Sequence, residues 1–405
     1  MSGELLMSKK ERHRLRVMEK VKLGMMTVKE AAIQMGISYR QAKRIKSRYE
    51  QNGAGGLVHR SRGRESNRKI DAGIKKAILR RYEERYLGFG PTFAMEKLRG
   101  EGFTIHAETL RIWLLEAGMW QRHRKRSPYR TRREPKHRFG EMVQVDGSHH
   151  EWFEDRGEGF SCLMSMVDDA TKTTEALLAE HESTEAAMRL LWGWIERYGI
   201  PMSLYCDRKN VYLTDREPTL EEQLQGVEPL TAFGTACEKL GIEIITAYSP
   251  QAKGRVERRH GVFQDRFVKE LRLQGISSIE EANKILRNGF VEDLNRRFTV
   301  QAIDSQDAHV KLHRRVDLRA IFCFEETRTV SNDWVVQYAN RYFQLLKGKR
   351  IDIRPKTKVI VAKWLDGSIH ILYQKKEVPY EEVTHQIVQR TRTQLRIAEA
   401  ISMNQ

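Results

Sequence analysis

Only four cysteines occur in 405 residues, Cys162, Cys206, Cys237 and Cys323, with no C-x-x-C pair and no Cys/His cluster at zinc-finger spacing. That excludes a disulfide scaffold and a small zinc module, and the four read as buried free thiols of a reducing cytoplasm. Proline is scarce too, at 9, which does not suit a fibrous or proline-rich disordered chain. No run of about 18 uncharged apolar residues appears, and the first 20 residues, MSGELLMSKKERHRLRVMEK, lack an apolar core followed by a small-residue cleavage site. Neither a membrane span nor a secretory signal is expected, and the expected location is the cytoplasm, in association with the nucleoid. What is present is 40% hydrophobic and 31% charged residues, enough for several packed modules at this length.

Charge is the informative quantity. The formal net charge is +18, yet residues 1–140 carry 35 Lys+Arg against 14 Asp+Glu, residues 141–330 carry 24 against 33, and residues 331–405 carry 13 against 7. A basic N-terminal third is the footprint of a polyanion binder, since each neutralised phosphate releases counterions. An acidic middle joined to it points to carboxylates that hold metal.

Apolar residues from Leu15 to Gln51 fall at helical spacing in three runs, Leu15–Leu23, Thr27–Met35 and Ser38–Tyr49. Thr27 and Glu30 form a capping box, Gly36 a tight turn, Ile37 an apolar plug and Ser38 the next cap. This is helix-turn-helix grammar, over residues 1–56, in which the second helix of the pair enters the major groove. Tyr39, Arg40, Gln41, Lys43 and Arg44 are the side chains expected to face base edges, with an ordinary three-helix bundle bearing a solvated basic face as the alternative. The grammar recurs in residues 65–120, with helices Ile74–Tyr86, Thr92–Glu101 and Ala107–Ala117 and Ile105 as the plug. That block is read as a second DNA-binding module, with a packing or dimerisation bundle as the alternative. Residues 121–140 form a basic connector, in which Arg122, Arg124, Lys125 and Arg126 would track phosphates.

From residue 141 to 275 the pattern changes to strands at Met142–Val145, Ser161–Val167 and Thr174–Ala179, a helix Ser183–Tyr198, a strand Ser203–Cys206, a helix Leu230–Leu240, a strand Ile242–Tyr248 and a helix Arg255–Leu271. Three strands followed by β/α alternation describe a mixed α/β sheet covered by helices. Its acids are placed suggestively: Asp146 ends the first strand, Asp207 ends the fourth, and Glu257 opens the last helix. Ligands bind beyond the carboxyl ends of such strands. Three carboxylates without Cys or His suit Mg²⁺ or Mn²⁺, and a pair of such ions supports in-line phosphodiester displacement.

The strings Q-V-D-G-S-H-H-E-W-F, S-M-V-D-D-A-T, L-Y-C-D-R-K-N-V-Y and S-P-Q-A-K-G-R-V-E-R, in this order, resemble the DDE transposases and retroviral-type integrases with a ribonuclease-H-like core. The nearest likeness is to bacterial insertion-sequence transposases of the ISNCY type. The resemblance implies that Asp146, Asp207 and Glu257 are the catalytic, metal-binding triad, with Asp146 bridging two Mg²⁺ or Mn²⁺ ions. It implies double-stranded DNA, both element ends and target, as partner, and a homodimer or higher multimer on that DNA.

The 49 residues between Asp207 and Glu257 exceed the spacing of the most compact integrases, and an acidic, turn-rich insertion occupies residues 213–230. His149 and His150 are read either as contacts to the scissile phosphate or as solvent-facing groups of a hairpin. Asp168 and Asp169 are read as structural turn residues. Lys253, Arg255, Arg258 and Arg259 are expected to hold DNA phosphates beside the metals. Residues 276–325 read as helical, with Ile279–Leu286 and Phe290–Phe298. Residues 326–380 read as a small β-barrel and 381–405 as a C-terminal helix or tail. The expected activity is binding of terminal inverted repeats followed by end cleavage and strand transfer; a DNA-binding regulator and a nuclease without strand transfer are the alternatives.

Overall fold

The structure, a computed structural model, describes residues 6–59, 62, 69–122, 134–157, 159–226, 228–246, 254–346 and 353–384. The chain divides into two compact units at Arg80/Arg81.

The first unit holds α1 (Lys9–Lys22), α2 (Val28–Gln34) and α3 (Tyr39–Asn52). Ser8 with Glu11 and Thr27 with Glu30 close reciprocal capping boxes, and Ser38 caps α3. Gly36 takes φ +64°, which turns the chain between α2 and α3. Val17, Met18, Ala31, Ile45 and Leu57 form the core, with Ile37 packed against it. Glu11 is the polar anchor: its carboxylate accepts the N–H groups of Ser8 (2.8 Å) and His59 (2.9 Å) and pairs with Arg62. Those hydrogen bonds, Ser8 first and His59 second, hold its pKa at about 2 instead of 4.5. A depressed carboxylate stabilises the fold above its unfolded pKa and ceases to as pH falls through the folded one. The Ser8 and His59 amide signals in an NMR titration are therefore expected to keep their positions down to pH 4.5 and to move as pH falls towards 2; movement complete above 4.5 would contradict the clamp.

α4 (Ala72–Arg85) spans the boundary, and α5 (Pro91–Gly100) and α6 (Ala107–Glu116) follow. Ile105 is buried between α5 and α6, as its place in the sequence pattern indicates.

The centre of the second unit is a five-stranded sheet of β1 (Val143–His150), β2 (Ser161–Asp168), β3 (Thr174–Ala179), β4 (Ser203–Cys206) and β5 (Glu243–Thr246), in the order β3-β2-β1-β4-β5. β1, β2 and β3 pair antiparallel, whereas β4 joins β1 and β5 joins β4 in parallel. α7 (Thr184–Tyr198) and α9 (Ala232–Leu240) cover one face over Val143, Val145, Leu204 and Cys206. α10 (Gly254–Gln274), α11 (Ile279–Ile285) and α12 (Val291–Phe298) cover the other over Leu163, Ala176 and Leu178. Between β4 and α9, within the acidic insertion, lies the short helix α8 (Leu220–Gln225), capped by Thr219 and ended by Gly226 in the left-handed region.

One boundary differs in a way that matters. The first strand does not end at Asp146 but runs on to His150, because its ladder with β2 continues to His150↔Ser161. His149 and His150 are therefore strand residues. α5 packs on α10: Arg266, 7% exposed, bonds Glu96 twice (2.6 and 3.0 Å) between the rings of Phe93 and Phe298, and Lys97 pairs with Glu270 at 2.5 Å.

After α13 (Leu318–Ile321), β6 (Cys323–Thr329), β9 (Lys358–Trp364), β10 (Ile369–Tyr373) and β11 (Lys376–Glu377) form one sheet, and β7 (Val335–Tyr338), β8 (Arg341–Leu345) and β12 (Tyr380–Val383) another. Both enclose Val336, Phe343, Val359, Val361 and Ile371. Among the described residues no ladder joins the two sheets, so the arrangement is two sheets over one core, not a closed barrel. Residues 381–383, in the segment read as a C-terminal helix or tail, pair with β8 instead; residues 385–405 lie outside the described residues. No described helix is long and apolar enough to cross a membrane.

Candidate active site

β1 pairs with β4 only at Val143↔Leu204 and Gln144↔Tyr205. Beyond that point the strands part, and the crevice so opened is where Asp146 on β1 and Asp207, the first residue after β4, are found. Strand alternation sets which way Asp146 faces. Val143 and Val145 point into the α7/α9 core, so Gln144, Asp146 and Ser148 face α10. The contacts agree: Gln144 Oε1 accepts the Val256 N–H (3.3 Å), Gln264 donates to Ser148 Oγ (3.1 Å), and His260 Nδ1 stands 4.0 Å from Asp146 Oδ2. Glu257 lies in the first turn of α10, three residues before His260, and is exposed. His260 is itself fixed by Ser165 Oγ at 2.8 Å.

Sequence reading missed two groups beside these acids. Lys209 Nζ lies 3.3 Å from Asp207 and 2.5 Å from Glu182, a nearly buried carboxylate that also accepts the Tyr212 hydroxyl at 3.3 Å. Burial works to lower the Lys209 pKa, but the Glu182 hydrogen bond and the charges of Glu182, Asp207 and Asp146 outweigh it and raise the value. Burial, aided by Glu182, pushes the neighbouring Cys162 thiol up to about 12. Lys209 sits two residues after Asp207, which is a signal of a kind. Glu182 precedes the Ser183 cap of α7 and reads only as a helix-terminus acid until topology places it. The ammonium at Asp207 also bears on metal fit: the crevice already draws a cation, and its donors are hard oxygens, which suits Mg²⁺ or Mn²⁺.

Other candidates separate by position. Tyr39, Arg40, Gln41, Lys43 and Arg44 are all exposed on α3, with Lys43 Nζ 4.5 Å from the Tyr39 ring centre. α6, by contrast, exposes Glu108, Ile112, Leu115 and Glu116. Arg122 and Arg258 are exposed, while Arg124, Lys125, Arg126 and Lys253 lie outside the described residues. Arg255 and Arg259 do not face outward as a DNA-gripping role requires. Arg255 pairs with the buried Asp169 at 2.9 Å. Arg259 is 5% exposed, donates to the Lys172 carbonyl and stacks on Phe298, and burial lowers its pKa to about 10. Asp168 and Asp169 are structural: Asp168 accepts the N–H groups of Gly140 and Thr171, and Asp169 those of Lys136 and the Gln144 amide.

A helix-turn-helix domain family matches residues 13–65. The chain is 34% identical over 392 residues, 95% of its length and 84% of the relative's, to y4bF of Sinorhizobium fredii, a protein named as a transposase. It is 27% identical to the transposase for insertion sequence IS1202 of Streptococcus pneumoniae, over 89% of this chain and 85% of that one. Among solved structures, the catalytic core of HTLV-2 integrase in complex with magnesium is similar to 38% of this chain and 86% of its own, at 16% identity and TM-score 0.27. The simian T-cell lymphotropic virus intasome, in complex with a PP2A regulatory subunit, is similar over 70% of this chain and 93% of that one, at 15% identity and TM-score 0.32. By its near full-length likeness to y4bF, with a helix-turn-helix domain at its N-terminus, the chain belongs to the insertion-sequence transposases.

Proposed function

We propose that the protein binds the terminal inverted repeats of its element through α3 and catalyses metal-dependent end cleavage and strand transfer at Asp146, Asp207 and Glu257. The observation that carries this is the crevice: Asp146 and Asp207 stand where β1 and β4 part, and Asp146 faces α10, whose first turn bears Glu257. The three carboxylates would hold two Mg²⁺ or Mn²⁺ ions, which when bound stabilise the attacking and leaving oxygens of an in-line displacement. The chain's own part is positional. Asp146 is fixed by the β1–β2 ladder, Asp207 by the end of β4, and Glu257 by the Gln144 bond to the start of α10. Exposed Arg258, beside Glu257, is placed to grip a DNA phosphate. Water cleaves at the element end to leave a 3′-OH, which then attacks a target phosphodiester and displaces a target 3′ oxygen. Two ends meeting one target call for a dimer or higher multimer on DNA. Exposed Arg354, Lys356 and Lys358, at and before the start of β9, would add auxiliary DNA contact.

The test is joining of labelled element-end DNA to a target in Mg²⁺ or Mn²⁺ and in EDTA. Metal-dependent joined product is the expected result; specific end binding with no cleavage would move the protein to the regulators. For α3, Lys43→Ala is expected to weaken end and random DNA alike and to flatten the slope of log K against log salt by about 0.9. Gln41→Ala is expected to cost about 1–3 kcal/mol on the end sequence only. Filter binding across a salt series reads both, and native values for both variants would remove α3 from the interface.

A further inference from the structure

We propose that His149, Cys162 and Glu182 form a binding site for a zinc-class ion, separate from the three oxygen-donor carboxylates of the crevice. The imidazole nitrogen, the thiol sulfur and a carboxylate oxygen all lie within 4.8 Å of one another, and His149 Nε2 is 3.9 Å from Glu182 Oε2. Zinc bond lengths put tetrahedral ligand atoms roughly 3.3–3.6 Å apart, so about an ångström of side-chain movement closes the set. The backbone needs no change. His149 and Cys162 are cross-strand partners on β1 and β2, and Glu182 stands at the entry to α7.

Gly147 supplies the second observation. It lies two residues before His149, on the same face of β1, and a Cβ built there would stand 2.7 Å from Glu182 Oε2 and 2.8 Å from Cys162 Sγ. The space against thiol and carboxylate exists because that position has no side chain. The third observation is the ammonium already bonded to Glu182. Lys209 shows that the pocket favours a cation, and with its side chain 43% exposed it can leave towards solvent. His149, 52% exposed, gives a metal its way in and leaves a fourth position for water.

The donor set decides the ion. Nitrogen, sulfur and oxygen together select zinc and its neighbours over magnesium, whereas the crevice offers oxygen alone. Binding replaces the Cys162 S–H bond by an S–metal bond and releases that proton, while the Lys209 ammonium gives up Glu182. Because Lys209 also touches Asp207, an ion here leaves the ammonium to that catalytic aspartate, which couples the site to the crevice.

The experiment titrates the metal-free full-length protein with Co²⁺ in excess Mg²⁺ and follows thiolate-to-cobalt charge-transfer absorption. One equivalent is expected to give the band, and Zn²⁺, not further Mg²⁺, to abolish it. Cys162→Ser is expected to remove the band and Asp207→Asn to keep it. His149→Ala, at an exposed position that leaves the fold intact, is expected to weaken Co²⁺ by at least the ~10-fold that losing an outer-shell partner costs. Absence of the band in the native protein, its persistence in Cys162→Ser, or native affinity in His149→Ala would overturn the proposal. Should Cys162→Ser fail to fold, His149→Ala decides alone. None of these readings depends on DNA joining.

Discussion

Replacing Asp207 by Asn is expected to cut metal-dependent strand transfer by about 10³-fold, because a lost metal carboxylate forfeits several kcal/mol of charge stabilisation in the transition state. Binding of the element end should not change, since α3, the helix proposed to read that end, lies in the other unit of the chain. The fold should not change either. Asn has the same shape, the Asp207 side chain is 29% exposed, and Lys209 keeps its 2.5 Å bond to Glu182. Joining and binding are measured on the same labelled DNA, with near-ultraviolet circular dichroism as the fold control. Joining near the native rate would remove Asp207 from the metal site. Loss of joining together with loss of the native spectrum would make it a structural residue.

What the sequence made legible was whatever local chemistry dictates. The capping box at Thr27, the Ser38 cap, the Gly36 turn and strands such as Thr174–Ala179 follow from cap chemistry and apolar period, and each is found where the pattern puts it. Asp207 at a strand end was legible for the same reason. Residues 146–150 were not: Asp-Gly-Ser-His-His has little β preference, and it is extended because β2, buried along its whole length, offers a ladder out to Ser161. The basic face of α10 misled in the opposite sense. Arg255 and Arg259 look like DNA contacts until the β2–β3 turn brings Asp169 and Lys172 under them and α12 brings Phe298. Glu182 and Lys209 meet across the β3–α7 junction and the β4 end, a pairing that sequence spacing cannot show. The C-terminal alternation gave the strands but not their division into two sheets, because the chain changes sheet at short turns near Asp333 and Pro379.

Asp169→Ala is expected to be the most destabilising carboxylate change in the core, by about 3–5 kcal/mol, the cost of breaking a buried ion pair from one side. Its side chain is fully buried; Oδ2 accepts the Lys136 N–H at 2.7 Å, and Oδ1 takes the Gln144 amide at 2.8 Å and Arg255 at 2.9 Å. Alanine strips the Arg255 guanidinium, only 14% exposed, of that carboxylate and leaves two amide donors facing a void. Against a total stability of about 5–15 kcal/mol for a typical domain this is a large fraction. The consequence extends to the crevice. Gln144, held by Asp169 through its amide, uses its carbonyl to hold the Val256 N–H at the start of α10, one residue before Glu257. The same substitution should therefore loosen the helix that carries the third acid. Urea denaturation followed by tryptophan fluorescence, which reports on buried Trp152 and Trp194 in this unit, should show a lowered midpoint for Asp169→Ala and a native one for Asp207→Asn. Equal midpoints for the two would mean that the Asp169 network adds nothing to the fold. At temperatures where Asp169→Ala remains folded, its joining should still fall below native, because Glu257 loses its anchored helix start while every crevice carboxylate is retained.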